Sequence, residues 1–255
     1  MRAKCPDCRA YTAVALGPEY ECHACGRTFA AGLVRVPRAW GKGGEAMAEA
    51  ASLPLPYPET AVIAEGSLAE QNLALALELP ERPLVLGGCC CSHVGAVEAL
   101  SARHGRLAVV WFDAHGDLNT IESSPSGNEW GMPLRMLLDS GAVQPQDVAL
   151  VGARNLDPPE EEFIAASGVR MGADAVADAL DETAGVYVAA DFDAFGEDEV
   201  ASFMPEPGGL SLEEAEDVLA GVRESKGVLG TGLSGLLHAE RNLEPARRLT
   251  AALGL

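Results

Sequence analysis

Positive charge is scarce in this chain: 18 Lys and Arg stand against 38 Asp and Glu in 255 residues, a formal net charge of -20. Phosphate contacts need a basic face, so this balance argues against a nucleic-acid-binding surface and, for the same reason, against an anionic membrane surface. Long apolar runs are missing too. No stretch reaches the roughly 18 to 20 residues needed to span a bilayer, and the first residues lack the apolar core of a signal peptide, so the expected location is the cytoplasm. Internal repeats and low-complexity tracts are also absent. With 48% hydrophobic and 22% charged residues, the composition is that of a globular protein with one substantial core and a small appendage.

The seven cysteines are distributed unlike a disulfide framework. Cys5-x-x-Cys8 and Cys22-x-x-Cys25 are separated by thirteen residues, and three more cysteines, Cys89 to Cys91, are consecutive. The two CxxC pairs are similar to the knuckles of a zinc ribbon, in which four thiolates close a tetrahedral shell around a structural Zn2+. A redox CxxC or a pair of disulfides is the alternative, which a cytosolic setting disfavours. His23, inside the second knuckle, is expected to face solvent.

Two acidic clusters follow apolar runs. Asp113-Ala-His115-Gly-Asp117 comes after Leu107 to Phe112, and Asp191-Phe-Asp193 after Val186 to Ala190. The runs have the length and β-branched content of buried strands, and alternation along an extended chain puts Asp113, His115 and Asp117 on one side and Asp191 and Asp193 on one side. Four carboxylates and an imidazole converging without a cation would suffer repulsion and desolvation, which one or two divalent ions would cancel. The competing explanation is two unrelated, solvated acidic loops.

Residues 1–30 are expected to form the ribbon and residues 31–255 one α/β domain. In the latter, strands are predicted over 32–37, 83–86, 107–112, 147–151, 186–190 and 227–233. Helices are predicted over 45–52, 68–79, 132–139, 159–166, 211–223 and 242–253, with an irregular Pro-rich stretch at 53–58. Such alternation predicts a three-layer α/β/α domain with a mostly parallel sheet, whose ligands bind beyond the carboxyl ends of the strands. Ser211 and Glu214 have the spacing of a capping box.

Gly87-Gly88-Cys89-Cys90-Cys91, Asp113-Ala-His115-Gly-Asp117-Leu-Asn119-Thr120, Ser126-Gly127-Asn128, Asp191-Phe-Asp193 and Pro205 to Leu210 occur in the order found in the ureohydrolases. The chain from about residue 31 onward resembles that superfamily of arginases, agmatinases and formiminoglutamases. The resemblance implies an arginase-like fold, a homo-oligomer, and hydrolysis of a guanidino-type C–N bond at two manganese ions. Carried over by position, Asp113 and Asp191 bridge the metals, His115 and Asp193 bind one, and Asp117 binds the other. His115 and Asp117 are also the residues assigned to catalysis, with Asp117 orienting the attacking hydroxide. Asn119, Ser126 and Asn128 match positions that contact the α-carboxylate of an amino-acid substrate. Arg154 to Glu160 resembles the RDVDPGE loop, in which Asp157 meets an α-amino group and Glu160 joins the substrate-binding set.

Three departures from the family stand out. Its GGDHS motif has a metal-binding histidine where Cys90 stands here, and a thiolate suits zinc, iron or cobalt better than manganese. His93, three residues on, is expected to pack or face solvent, with ligation as the alternative, while Cys89 and Cys91 read as small buried residues. The SGNxHG motif has a proton-shuttling histidine where Trp130 stands; Glu129 is the adjacent ionisable group. The segment Gly232 to Leu237 holds no carboxylate for a guanidinium, and Glu240 would match only with a register shift. The expectation is a metal-dependent hydrolase of a linear amidine or guanidino-type bond in a small amino-acid-like molecule, using one or two Mn2+ or other divalent ions. The alternative is a ureohydrolase-fold binding or scaffold protein that has lost turnover.

Overall fold

Leu107 to Phe112 is buried at every position, as is Gly185 to Asp191, and a strand covered on both faces belongs in the middle of a parallel sheet. The computed structural model describes residues 1–255 and places these two strands side by side at the centre of an eight-stranded sheet. Four short strands, β1 (Arg2–Ala3), β2 (Ala13–Leu16), β3 (Glu19–Cys22) and β4 (Thr28–Phe29), form a separate antiparallel sheet at the N-terminus. The main sheet consists of β5 (Gly32–Val36), β6 (Glu59–Val62), β7 (Pro83–Gly87), β8 (Leu107–Phe112), β9 (Val148–Val151), β10 (Arg170–Met171), β11 (Gly185–Asp191) and β12 (Val228–Ser234). Their order across the sheet is β10-β9-β8-β11-β12-β7-β5-β6, and every pairing is parallel.

Eight helices cover the two faces: α1 (Glu45–Ala50), α2 (Leu68–Glu78), α3 (Val94–His104), α4 (Pro133–Asp139), α5 (Pro158–Ser167), α6 (Val176–Leu180), α7 (Leu212–Ser225) and α8 (Leu243–Ala252). Alternation along β8 sends Ala108, Val110 and Phe112 into one core with α1, α6, α7 and α8, and Leu107, Val109 and Trp111 into the other with α2 to α5. The result is the three-layer α/β/α arrangement.

Local chemistry sets the helix starts. Ser211 Oγ accepts the Glu214 N–H while Glu214 Oε2 accepts the Ser211 N–H, a reciprocal cap on α7. Four elements were not anticipated: β6, α3, β10 and α6. The two strands are edge strands of four and two residues with little apolar pattern, and α6 is a five-residue segment. Helix α3 starts two residues after the cysteine triplet, and its N-cap residue, His93, makes no capping hydrogen bond and is not one of the usual cap types that would announce it.

The N-terminal sheet abuts the β6 edge. Lys4 and Glu59 exchange backbone hydrogen bonds of 2.8 and 2.9 Å, and a Cβ on Gly32 would collide with the Tyr20 ring. An otherwise open sheet edge is thereby partly covered. No helix is long and apolar enough to cross a membrane.

Candidate functional site

The four central strands β8, β11, β12 and β7 all end at the same edge of the sheet, and residues at the carboxyl ends of β7, β8 and β11 line one cavity. Chain order doubles back here: β7 is followed by β8 three positions away, and β11 and β12 later fill the gap, so the cavity lies at a topological switch point. Its volume is about 310 Å³. Cys90 arrives from the turn after β7, Asp113 to Asn119 from the loop after β8, Asp191 and Asp193 from the end of β11.

Asp113 is the hub. One oxygen, Oδ2, accepts the Trp111 indole N–H at 3.1 Å, and the other, Oδ1, accepts the His115 backbone N–H at 2.8 Å. His115 Nδ1 lies 3.1 Å from Asp193 Oδ2 and 3.4 Å from Asp113 Oδ1. Asp193 is fixed by the Ala114 N–H at 2.9 Å, and Asp191 Oδ1 accepts the Asp193 N–H at 3.1 Å. On the far side, the Cys90 thiol donates to Asp191 Oδ2 at 2.9 Å and lies 3.6 Å from Asp113 Oδ2. Asp117 has a φ of 52°, a left-handed backbone that turns its carboxylate into the cluster, and its buried Oδ2 has no hydrogen-bond partner.

Two overlapping ligand sets result. Cys90, Asp113 and Asp117 bring their ligand atoms within 4.8 Å of one another, as do Asp113, His115 and Asp193; Asp113 belongs to both. The electrostatics agree with a cation-shaped need. Burial and the neighbouring Asp193 push Asp191 up to about 7, burial and Asp113 push Asp193 up to about 6, and burial with Asp113 and Asp191 drives Asp117 well above the carboxylate range. Burial and the three carboxylates also hold the Cys90 thiol well above its ordinary value. For His115 burial opposes the charge, but hydrogen bonding to Asp113 and Asp193 prevails and lifts it to about 12. A proton on His115 does part of what a divalent ion would do more completely. An orphaned buried carboxylate oxygen within a set of O, N and S donors fits a divalent metal.

Asn119, Ser126, Asn128, Asp157 and Glu160 line the same cavity. Asn119 Nδ2 donates to Asp157 Oδ2 at 2.8 Å. Glu160 is 3% exposed, with Oε1 accepting the Leu118 N–H and Oε2 the Asp157 N–H, both at 2.9 Å, so its carboxylate holds two loops together. Asn128 Oδ1 accepts the Lys42 N–H and Ser126 Oγ accepts the Asn128 N–H, placing both at the rim. Trp130 stands at the mouth, edge-on to Phe203 and tight against Gly41 and Gly44. Neither Glu129 nor Glu240 lines the cavity.

His93 is fully buried rather than solvent-facing. Its Nε2 lies 3.0 Å from Ser234 Oγ and its Nδ1 3.1 Å from Tyr187 OH, and the ring packs edge-on to Trp111; burial lowers its pKa to about 3. It belongs to neither ligand set. Cys89 and Cys91 are buried in a small cluster with Met47.

Three contributors have roles that the sequence did not assign. Trp111 sits two residues before Asp113 on the same strand side, a spacing that alternation could have flagged. Arg154 bonds the carbonyls of Gly152, Asp193, Ala194, Glu206 and Pro207, pinning the 203–210 loop over the site. Glu206 places Oε1 3.6 Å from His115 Nε2 while accepting from Asn155 Nδ2 at 2.9 Å; nothing local in the chain foretells that meeting.

At the N-terminus all four CxxC thiols are free and lie within 4.8 Å of one another. Cys5 Sγ is 4.0 Å from Cys25 Sγ and Cys8 Sγ 3.7 Å from Cys22 Sγ. A tetrahedron with metal–sulfur bonds of about 2.3 Å has edges of about 3.8 Å, so these thiols could hold one ion. The Thr12 hydroxyl, 3.1 Å from Cys22 Sγ, helps bring that thiol down to about 6.

Comparison with known proteins places the chain. The arginase-family model matches residues 46–234. An arginase from Staphylococcus aureus strain COL is 43% identical over 104 residues, which cover 37% of this chain and 34% of that enzyme. The arginase of Bacillus subtilis strain 168 is 33% identical over 180 residues, 60% of this chain and 61% of the enzyme. The match thus spans about a third to three fifths of the length of these relatives. Among solved structures, the arginase of Bacillus cereus superposes with a TM-score of 0.74 at 26% identity, covering 87% of this chain and 97% of that one. With the match extending over most of the chain and the fold shared almost throughout, the protein belongs to the arginase family.

Proposed function

We propose that the chain is a metal-dependent hydrolase acting on a linear amidine or guanidino-type C–N bond of a small, amino-acid-like substrate. The observation that carries this reading is the pair of ligand sets sharing Asp113 at the floor of a cavity large enough for such a molecule. Cys90, Asp113, Asp117 and Asp191 would hold one divalent ion, and Asp113, Asp191, His115 and Asp193 the other, with manganese as the family habit and another divalent metal as the variant. When bound, such ions lower the pKa of water and polarise the carbon under attack.

The chain's own residues divide the remaining work. Asp117 Oδ2, unpaired and buried, accepts a hydrogen bond from the attacking water and orients it. His115 is held between Asp113 and Asp193 with Nε2 toward Glu206, which fixes the ring. Asn119, Asp157, Ser126 and Asn128 supply short polar groups on the wall and rim where a zwitterionic α-amino acid end would sit. Glu160 keeps that wall in place. Trp130 and Met204 narrow the opening with apolar surface and exclude water. At the N-terminus, Cys5, Cys8, Cys22 and Cys25 hold a structural zinc that closes the small sheet.

A second reading is favoured by Trp130: an indole stands where the family has a proton-transferring histidine, and no carboxylate of Glu129 or Glu240 reaches the cavity to replace it. In that reading the chain binds a small molecule or a protein without turnover. Elemental analysis of the wild type and of Asp191→Ala separates the two. Two metals per chain beyond the ribbon zinc, both reduced in the variant, together with hydrolysis in a panel of guanidino, amidino and formimino compounds, support the enzyme. No metal beyond the ribbon sinks it.

A further inference from the structure

Resting on that reading of the site as a binuclear metal centre, we propose that the centre is chemically asymmetric. The position framed by Cys90, Asp113 and Asp117 takes a thiophilic divalent ion, zinc, cobalt or ferrous iron, and the position framed by Asp113, His115 and Asp193 takes a harder one such as manganese.

The environment of Cys90 is not that of a packing thiol. A small buried cysteine filling a core would be wrapped in carbon. Here Cys90 borders the apolar core, yet three oxygens approach its Sγ: Asp191 Oδ2 at 2.9 Å, Ser234 Oγ at 3.1 Å and Asp113 Oδ2 at 3.6 Å. Asp117, a residue 4% exposed whose Oδ2 has no partner, belongs to the same ligand set. Cys90 is not a redox partner of its neighbours either. Cys89 Sγ accepts the Trp40 N–H at 3.4 Å and Cys91 donates to the Glu129 carbonyl at 3.4 Å, and these two share a small cluster with Met47 that does not include Cys90.

Protein contacts also aim the sulfur. Ser234 Oγ stands against Cys90 Sγ and is itself held by His93 Nε2, whose Nδ1 meets Tyr187 OH. A Cβ on Gly232 would lie 2.2 Å from His93 Nδ1 and 2.4 Å from Tyr187 OH, so the missing side chain on β12 makes room for this imidazole and phenol. A buried chain of Tyr187, His93 and Ser234 thus supports the thiolate from behind, as outer hydrogen bonds orient metal ligands generally. The other ligand set has only oxygen and imidazole nitrogen. Thiolate selects soft ions and carboxylate with imidazole tolerates hard ones, so the two positions sort metals by ligand type.

The test uses the full chain with one zinc per chain retained in the ribbon, titrated with a mixture of cobalt and manganese. The expected result is about one cobalt and one manganese per chain, with a near-ultraviolet thiolate-to-cobalt absorption that disappears in Cys90→Ser. In that variant, cobalt affinity at this position falls about tenfold or more relative to manganese, the scale at which even outer hydrogen-bond partners matter. Should Cys90→Ser not fold, cobalt-edge X-ray absorption on the wild type reads the sulfur neighbour directly. Two metals bound with no sulfur on cobalt would overturn the asymmetry and leave the metallohydrolase reading standing. No metal bound beyond the ribbon would overturn both.

Discussion

Asp191 Oδ2 accepts hydrogen bonds from both the Cys90 thiol, at 2.9 Å, and the Ser234 hydroxyl, at 3.3 Å, so one carboxylate oxygen ties the ends of β7, β11 and β12 together. In metal-free protein this carboxylate is a liability. Its folded pKa of about 7 lies above the ordinary value of 3.8, and that of Asp193, about 6, is raised as well. A raised carboxylate contributes stability that is full below pH 4 and lost as pH rises through 6 to 7. His115, raised to about 12, loses its contribution in the same direction at higher pH. Each unit of such a difference is worth about 1.4 kcal/mol. Metal-free wild type should therefore melt at progressively lower temperature from pH 4 to pH 8. Asp191→Asn should flatten that slope and stabilise the metal-free chain at pH 8 while abolishing metal uptake. A thermal melt of the two proteins across this range checks it; parallel slopes would contradict it.

Gly235 has a φ of 68°, and a Cβ there would lie 1.9 Å from Asp191 Oδ1. Gly235→Ala therefore combines a left-handed backbone penalty with displacement of the Asp191 carboxylate proposed to hold metal. The expected cost is about 1 to 3 kcal/mol in chemical denaturation, together with loss of metal stoichiometry.

Arg154 is the clasp of the 203–210 loop, with five carbonyl partners, of which those of Glu206 and Pro207 lie in that loop. Arg154→Ala should cost about 2 to 3 kcal/mol, since several charged hydrogen bonds are lost at once. Limited proteolysis should cut within residues 203–210 of the variant before any site in the wild type.

Glu206 faces His115 Nε2 from that loop. Glu206→Gln keeps the shape and removes the charge, so metal affinity at the His115 position should fall about 10-fold to 100-fold with the fold unchanged. Competition against a chelating dye measures this, and Glu206→Asp should restore part of the loss. Unchanged affinity would make Glu206 a mere surface group.

The N-terminal sheet has its own six-residue core around Tyr20 and is tied to the main sheet through Lys4 and Glu59. Cys22→Ser should release one zinc equivalent and raise amide exchange over β1 to β4 and β6, leaving the central strands protected. Exchange rising equally across β8 and β11 would show the two sheets to be one cooperative unit.

Strand β8 and strand β11 declared themselves through continuous apolar runs ending in carboxylates, because a buried parallel strand has no polar face to interrupt it. The capping box at Ser211 was visible because a helix start is a local hydrogen-bond problem. Helix α3 and strand β6 were not, since one starts without a Ser, Thr, Asp or Asn cap and the other is an edge strand whose pairing with β5 comes from elsewhere in the chain. His93 looked as able to face solvent as to pack. Only Tyr187 and Ser234, 94 and 141 residues distant, decide that it is buried and bonded.

What the chain determined alone, then, is what short-range chemistry can encode: apolar runs that become strands, cysteine spacing that brings thiols together, and acidic clusters placed at strand ends. The tertiary structure decided which distant groups share an atom's neighbourhood. That Cys90 meets Asp191 across 101 residues follows from the strand order β8-β11-β12-β7, while Glu206 looks onto His115 because Arg154 clasps its loop over the site. Long-range contacts depend on which strands become neighbours, and the global packing of two cores against one sheet selects that order.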